Sequence, residues 1–352
     1  LSLSHFLAAS FMAAAGYYGM SYGTNVEFPI LFTLYSLSVA FYMPTLALSN
    51  SVAYTALDKA KLDTIKNFPP IRIFGTIGFI CSMWTVDLLG LQDTYGQFFA
   101  CALIGVVYAL YALTLPACPT SKGDNTKSLV EALGLRAFTL FKQRKMAIFF
   151  IFSMLLGVSL QITNGFANPY ISSFGSIPEY ADTFGVQHAN ILISLSQISE
   201  TLCILLIPFV LRRFGIKRVM LIAMLAWVLR FGLFGLGNPG DGVWMFILSM
   251  IVYGVAFDFF NISGSLYVDK ETDISIRSSA QGLFVIMTNG FGATIGTLGA
   301  QAVVNYFVDF NSNIPQVSEW QSAWYVFASY ALLVAIIFAI VFKYKHNPKE
   351  FE

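Results

Sequence analysis

The chain has 352 residues, of which 57% are apolar and 11% are charged, and its mean hydropathy is +0.68. A soluble domain carries roughly 25% charged residues, so this composition excludes an ordinary soluble core and indicates a polytopic membrane protein. The formal net charge of +1 also excludes a surface for nucleic acid, which needs clustered Lys and Arg.

Metal and disulfide chemistry have little support in this composition. The four cysteines have no paired spacing and three of them lie within apolar runs, so we interpret them as free thiols. The three histidines are too scattered to form a zinc or haem site. We therefore expect neither a metal nor a cofactor. The chain also starts at Leu1 inside an apolar run, which predicts that an N-terminal piece is missing.

Apolar runs long enough to cross about 30 Å of hydrocarbon, at about 1.5 Å per residue, occur ten times. They lie near residues 1–18, 27–52, 66–89, 96–116, 146–172, 187–211, 216–237, 243–268, 279–307 and 320–343. The pattern predicts an all-α polytopic membrane protein with ten transmembrane helices. The runs 27–52 and 279–307 could each be kinked.

Basic residues predict the orientation in the membrane. When the connections and their edges are taken alternately, one set holds 18 of the 20 Lys and Arg, and the opposite set holds acids without a single Lys or Arg. By the positive-inside rule, the basic connections and the C-terminus lie in the cytoplasm.

The connection at residues 117–145 is the longest and most polar, and it predicts the domain boundaries. We expect an incomplete N-terminal half of four helices at 1–116 and a C-terminal half of six helices at 146–352. Transporters are often built from two six-helix halves, so the first half lacks two helices in this interpretation. Within the connection, SLVEALGLRAFTLF indicates either an amphipathic helix on the cytoplasmic membrane surface or a solvated linker.

A second, short connection, LRRFGIKRV at residues 211–219, resembles the cytoplasmic loop motif of the major facilitator superfamily. Gly215, Lys217 and Arg218 fit the motif, whereas Arg212 replaces its acid and Ile216 replaces a basic residue. Any basic turn with a glycine looks similar, so this motif alone is a weak signal.

Four charged residues remain inside the spans: Arg72, Arg230, Glu200 and Asp258. An ionised side chain at the centre of a bilayer helix costs on the order of 2.5–3.5 kcal/mol, so each needs water, a partner or a ligand. Asp258 and Glu200 are therefore candidates to bind and release a proton, and a structural ion pair is the alternative for either one. Arg230 lies about two turns from the end of its span, which favours snorkelling to the headgroups or a structural pair.

Polar and aromatic side chains accompany these charges at helical spacing. The groups are Tyr253, Phe257 and Asp258; Arg72, Thr76 and Phe79; Gln161 and Asn164; and Gln197 and Glu200. Such a set suits a small, flat, polar substrate. The alternatives are snorkelling of Arg72 and hydrogen bonds between helices for the amides.

The sequence contains no motif that supports an enzymatic function. A GxSxG pattern at residues 19–23 lies in a turn between two spans, without the strand that a nucleophile elbow needs, and no HExxH or Walker-type loop occurs. The glycines of NGFGATIGTLGA, residues 289–300, predict close helix packing or a gating bend. We therefore expect no enzymatic activity.

Seven uncommon blocks in a fixed order resemble the bacterial nucleoside:proton symporter family of the major facilitator superfamily. They are FYMPTLALSN, NFPPIRIFGTIGF, SLQITNGF, SQISET, YGVAFDFFNISGS, SAQGLF and MTNGFG. The resemblance runs from Leu1 to about His346 and implies the major facilitator fold, with this chain supplying the third to the twelfth of twelve helices. It also implies that ten residues line the substrate cavity, namely Arg72, Thr76, Phe79, Gln161, Asn164, Gln197, Glu200, Tyr253, Phe257 and Asp258.

We therefore expect a monomeric transporter of the bacterial inner membrane that lies in the lipid bilayer. It imports nucleosides of the uridine or adenosine type together with protons by alternating access. Asp258 is the first candidate for the proton-coupling residue and Glu200 the second. Two alternatives stay open: a sugar or drug transporter of the same fold, and a membrane receptor or structural protein that carries no flux.

Overall fold

The computed structural model describes residues 1–62, 64–116, 135–273, 276–310 and 317–344. For some helical residues in these ranges, Arg72 among them, it describes the backbone only. The described residues form helices and connections, with no strand among them. Helices satisfy their backbone N–H and C=O groups internally, as an apolar chain in lipid requires. The predicted all-α class is confirmed.

The chain divides into two compact units, Leu1–Gly123 and Asp124–Glu352. The helices of the first unit are α1 (Ser2–Tyr22), α2 (Phe28–Lys59), α3 (Thr64–Leu88) and α4 (Gly96–Ala112). Each covers one of the four runs predicted here. The helix α2 continues through Pro44, and the kink considered for the second run stays a prediction.

Small residues let α1 pack closely against its neighbours α2 and α4. Ser38 of α2 donates a hydrogen bond to the carbonyl oxygen of Ala8 at 2.8 Å. Gly105 of α4 faces Ala9 so closely that a Cβ on the glycine would lie 3.0 Å from the alanine Cβ. Close backbone approach of this kind is how helices associate in lipid, where the hydrophobic effect does not drive them together.

The second unit contains the remaining long helices. They are α5 (Arg144–Ser173), α6 (Ala189–Leu236), α7 (Val243–Glu271), α8 (Arg277–Val285), α9 (Ala293–Phe307) and α10 (Val317–Val341). The helix α6 is broken at Gly215, whose φ of 75° and ψ of 165° suit a glycine. The break falls in the connection that the sequence predicts between the runs 187–211 and 216–237. Lys217 fastens this turn to α10 by donating to the carbonyl oxygen of Ala339 at 2.9 Å.

A π-helical segment, Ile286–Gly292, joins α8 to α9. This part of the chain lies tightly against α5. A Cβ on Gly292 would lie 2.5 Å from the carbonyl oxygen of Met154, and one on Gly296 would lie 2.8 Å from the Cα of Val158. The close packing predicted for the glycine-rich stretch is confirmed at these two positions.

Six helical stretches in the described part of the chain are long and apolar enough to cross a membrane. They are Phe28–Thr45, Arg144–Ser176, Ala189–Leu236, Val243–Glu271, Ser279–Phe307 and Val317–Val341. The protein is therefore a multi-pass membrane protein.

Most of the central connection, residues 117–134, lies outside the described residues. The end of the predicted amphipathic helix is described, and it is a 3-10 helix, Leu135–Lys142. Ala137 and Leu140 are buried, whereas Leu135 and Phe138 are exposed. This segment is thus two-sided, and its place on the membrane surface stays a prediction.

Candidate functional site

The helix α7 places Asp258 in the packed interior of the second unit, where its side chain is 5% exposed. One turn earlier, Tyr253 is 6% exposed. The Tyr253 ring stacks on the ring of Phe257, with centroids 5.6 Å apart and planes 8° from parallel. The i, i+4 spacing read from the sequence therefore produces a pair of parallel rings beside the carboxylate.

The helices α6 and α7 approach each other through small residues. A Cβ on Gly254 would lie 2.6 Å from the carbonyl oxygen of Ser199. Ser199 Oγ donates to the carbonyl oxygen of Ile251, and Ser196 Oγ donates to Met250 Sδ at 3.1 Å. Ser196 and Ser199 therefore face α7 and satisfy their hydroxyls there.

Gln197 and Glu200 each follow one of these serines, which turns them about 100° around α6 from the contact with α7. Both side chains are half-buried. Glu200 and Asp258 both lie within electrostatic range of the Tyr253 hydroxyl, and Asp258 also lies within that range of the Cys203 thiol. The structure thus brings both carboxylates into the neighbourhood of Tyr253.

The amides of α5 differ in their surroundings. Asn164 is exposed and Gln161 is half-buried. An amide within a spanning helix is costly in lipid unless it is satisfied, so Asn164 is suited to water or a ligand. One turn further on, Asn168 donates to Asn190 Oδ1 at 2.7 Å and so ties α5 to α6. The sequence did not distinguish this structural amide pair.

Three of the ten predicted site residues belong to α3 in the first unit. Thr76 is half-buried and Phe79 is 53% exposed. The side chain of Arg72 lies outside the described residues. That these three residues share a site with those of α5, α6 and α7 stays a prediction.

Arg230 contradicts the snorkelling prediction, because its side chain is 1% exposed. Its guanidinium carbon lies 4.7 Å from the centroid of the Tyr253 ring and 5.3 Å from that of Phe234. It also donates to the carbonyl oxygen of Ser249 at 2.5 Å. The sequence contained a signal for this burial. Trp227 and Phe234 lie three and four residues from Arg230, so the arginine belongs to an aromatic, inward face of α6.

This arrangement can bind a polar planar molecule and hold a proton. Stacked rings offer an apolar face to a heterocycle, amides offer both donors and acceptors, and a carboxylate can be ionised or neutral. No group of three His, Cys, Asp or Glu in the described ranges could hold a metal ion.

Comparisons with known proteins agree with this chemistry. Residues 1–347 match the family model described as Nucleoside H+ symporter. The chain is 50% identical over 331 residues to the xanthosine permease of Escherichia coli (strain K12), covering 94% of this chain and 78% of the permease. It is 51% identical over 306 residues to the nucleoside permease NupG of the same organism, covering 87% of this chain and 72% of NupG.

Solved structures of NupG are also similar. The crystal structure of NupG superimposes with a TM-score of 0.85 at 46% identity, covering 98% of this chain and 83% of that one. The structure of an Asp-to-Ala variant of NupG gives a TM-score of 0.89, also at 46% identity, covering 97% of this chain and 82% of the variant. The chain therefore belongs to the nucleoside H+ symporter family.

Proposed function

We propose that this protein imports nucleosides across the bacterial inner membrane, driven by the proton gradient, by alternating access. The observation that carries the proposal is the stacked pair of Tyr253 and Phe257 inside a membrane-spanning helix, with the carboxylates of Glu200 and Asp258 within electrostatic range of Tyr253. The relatives support it, since their names specify a xanthosine permease and a nucleoside permease.

Each predicted site residue of the second unit has a role in this proposal. Tyr253 and Phe257 stack against or enclose the base. The amides of Gln161, Asn164 and Gln197, together with Glu200, hold ribose hydroxyls and base edges. Asp258 is the proton-coupling residue, and Glu200 is the second candidate. The resemblance adds Arg72, Thr76 and Phe79 of the first unit to the substrate contacts, on the strength of the sequence alone.

The proposal includes a topology of ten crossings that correspond to the last ten of twelve. Support comes from α6, which has 48 residues. As one straight helix at 1.5 Å per residue they would extend about 72 Å, more than twice the hydrocarbon thickness. The break at Gly215 divides it into two crossings of suitable length. With the basic connections in the cytoplasm, the C-terminus is cytoplasmic, and the monomer is the transporting unit.

Transport by the purified chain in proteoliposomes tests the proposal. With an acidic exterior, we expect labelled uridine to accumulate inside, and we expect a protonophore to abolish the accumulation. Unlabelled adenosine should compete for uptake, whereas glucose should not. Competition by hexoses but not by nucleosides would indicate the sugar-transporter alternative, and saturable uridine binding without flux would indicate a receptor.

A further inference from the structure

Arg230 is a buried cation, and the proposed transport cycle assigns it no role. It lies in the half of α6 that follows Gly215 and is 1% exposed. Moving a guanidinium out of water into a protein interior is costly, so contacts with the protein have to offset the cost. The contacts that Arg230 makes therefore indicate its role in the protein.

The guanidinium of Arg230 contacts two other helices directly. On α7, its carbon lies 4.7 Å from the Tyr253 ring centroid, and Nη1 donates to the carbonyl oxygen of Ser249 at 2.5 Å. On α5, Thr163 Oγ1 accepts a long hydrogen bond from Nε at 3.4 Å. In return, Ser249 Oγ donates to the carbonyl oxygen of Arg230 at 3.1 Å. The arginine therefore joins α6 to both α5 and α7.

Two of these contacts fall on or beside a residue of the proposed nucleoside site. Thr163 immediately precedes Asn164, and Tyr253 is itself a proposed base contact. Met250 Sδ, which lies 3.8 Å from Nη1 of Arg230, also accepts a hydrogen bond from Ser196, the residue before Gln197. The Arg230 side chain thus contacts α5 and α7 near their site residues, and Met250 connects it to the turn of α6 that carries Gln197.

We propose that Arg230 is a positioning residue for nucleoside binding, and this inference rests on the proposed function of the same site. Its planar cation holds the Tyr253 ring in the orientation that stacks on Phe257, and its donors fix α5 against α7. A desolvated cation over an aromatic face makes a strong contact of this kind. Lysine cannot reproduce the planar fork that reaches two helices at once.

Uridine binding by the full chain in nanodiscs tests the inference, with affinity measured by calorimetry and folding by thermal unfolding. We expect R230M to raise the Kd for uridine about tenfold or more. R230K should fall between R230M and the wild type, because an ammonium keeps a cation near the Tyr253 ring but loses the fork. L229M is the matched control, since Leu229 is 50% exposed and adjacent, and it should bind as the wild type does.

A double-mutant cycle with Y253A separates positioning from general structural support. If Arg230 acts through Tyr253, R230M should change the Kd less than about twofold once the Tyr253 ring is gone. A merely structural arginine would instead weaken binding by the same factor in both backgrounds. If R230M does not fold, R230K in the two backgrounds completes the same cycle.

The outcomes for the two proposals are distinct. Failure of the wild type to bind any nucleoside overturns the proposed function and this inference with it. Wild-type binding together with unchanged binding by R230M, or additive effects across the cycle, overturns the inference alone and leaves the transport proposal standing.

Discussion

The helices α6 and α7 each carry a carboxylate far from the ends of their apolar runs, Glu200 and Asp258, but they bury it to different degrees. Asp258 of α7 is 5% exposed, whereas Glu200 of α6 is half-buried, about 100° around the helix from the contact with α7. A charge is costlier the more completely it is removed from water, so gain or loss of a charge alters a packed interior more at a buried position than at a half-buried one. The comparison favours Asp258 for proton coupling and Glu200 for substrate binding.

Replacing each carboxylate by its amide gives the largest expected effects. We expect D258N to abolish uridine accumulation in proteoliposomes with an imposed proton gradient, because an amide cannot take up and release a proton. E200Q should still accumulate uridine, although with a higher KM. The measurement is the ratio of internal to external labelled uridine at steady state.

Exchange of internal for external uridine controls for a misfolded D258N protein, since exchange requires no net proton movement. D258N should keep this activity. Unchanged accumulation by D258N rejects its coupling role, and loss of accumulation in E200Q alone transfers that role to Glu200.

The aromatic pair distinguishes α7 from α6 in a second way, because α7 contributes two rings to the proposed site and α6 contributes none. Stacking of a base on an aromatic side chain contributes about 1–3 kcal/mol as measured by alanine substitution. We therefore expect F257A and Y253A each to raise the Kd for uridine roughly 5- to 150-fold. Y253F keeps the ring and should bind close to wild type. Wild-type affinity in both alanine variants would show that the base stacks elsewhere.

The sequence predicted the helices well because apolar length and basic connections are local properties. The run predicted at 243–268 is the helix Val243–Glu271, and the connection predicted after residue 211 is the break at Gly215. The neighbourhood of Tyr253, Phe257 and Asp258 was also predictable, because the spacing that places residues on one helix face is fixed by the helix itself.

Contacts between helices could not be predicted in the same way. Arg230 lies as near to a helix end as a snorkelling arginine does, and its inward direction depends on Thr163 and Tyr253, which are distant in sequence. The contact of Gly254 with Ser199 and the π-helical segment Ile286–Gly292 likewise arise from packing between separate helices. The spacing of residues along one helix does not indicate which other helix packs against a given face of it.

A larger side chain at Gly254 tests the close packing of α6 against α7. A methyl group on Gly254 would meet the backbone of Ser199 at 2.6 Å, and overpacking of this kind costs about 1–3 kcal/mol. We expect G254A to lower the thermal unfolding temperature in detergent and to weaken uridine binding by separating Glu200 from Tyr253. G299A is the control, because nothing lies within 4 Å of the position its Cβ would take, and it should unfold like the wild type.

The smallest expected effects belong to the amides of α5, which lie on a third helix outside the contact of α6 with α7. A neutral hydrogen bond contributes about 0.5–1.5 kcal/mol net, so N164A and Q161A should each raise the Kd for uridine about 2- to 10-fold. Asn168 offers a matched control one turn away, because its amide is engaged with Asn190. N168A should therefore leave uridine affinity unchanged and lower only the unfolding temperature. Equal losses of affinity in N164A and N168A would mean that α5 supports the fold and does not contact the nucleoside.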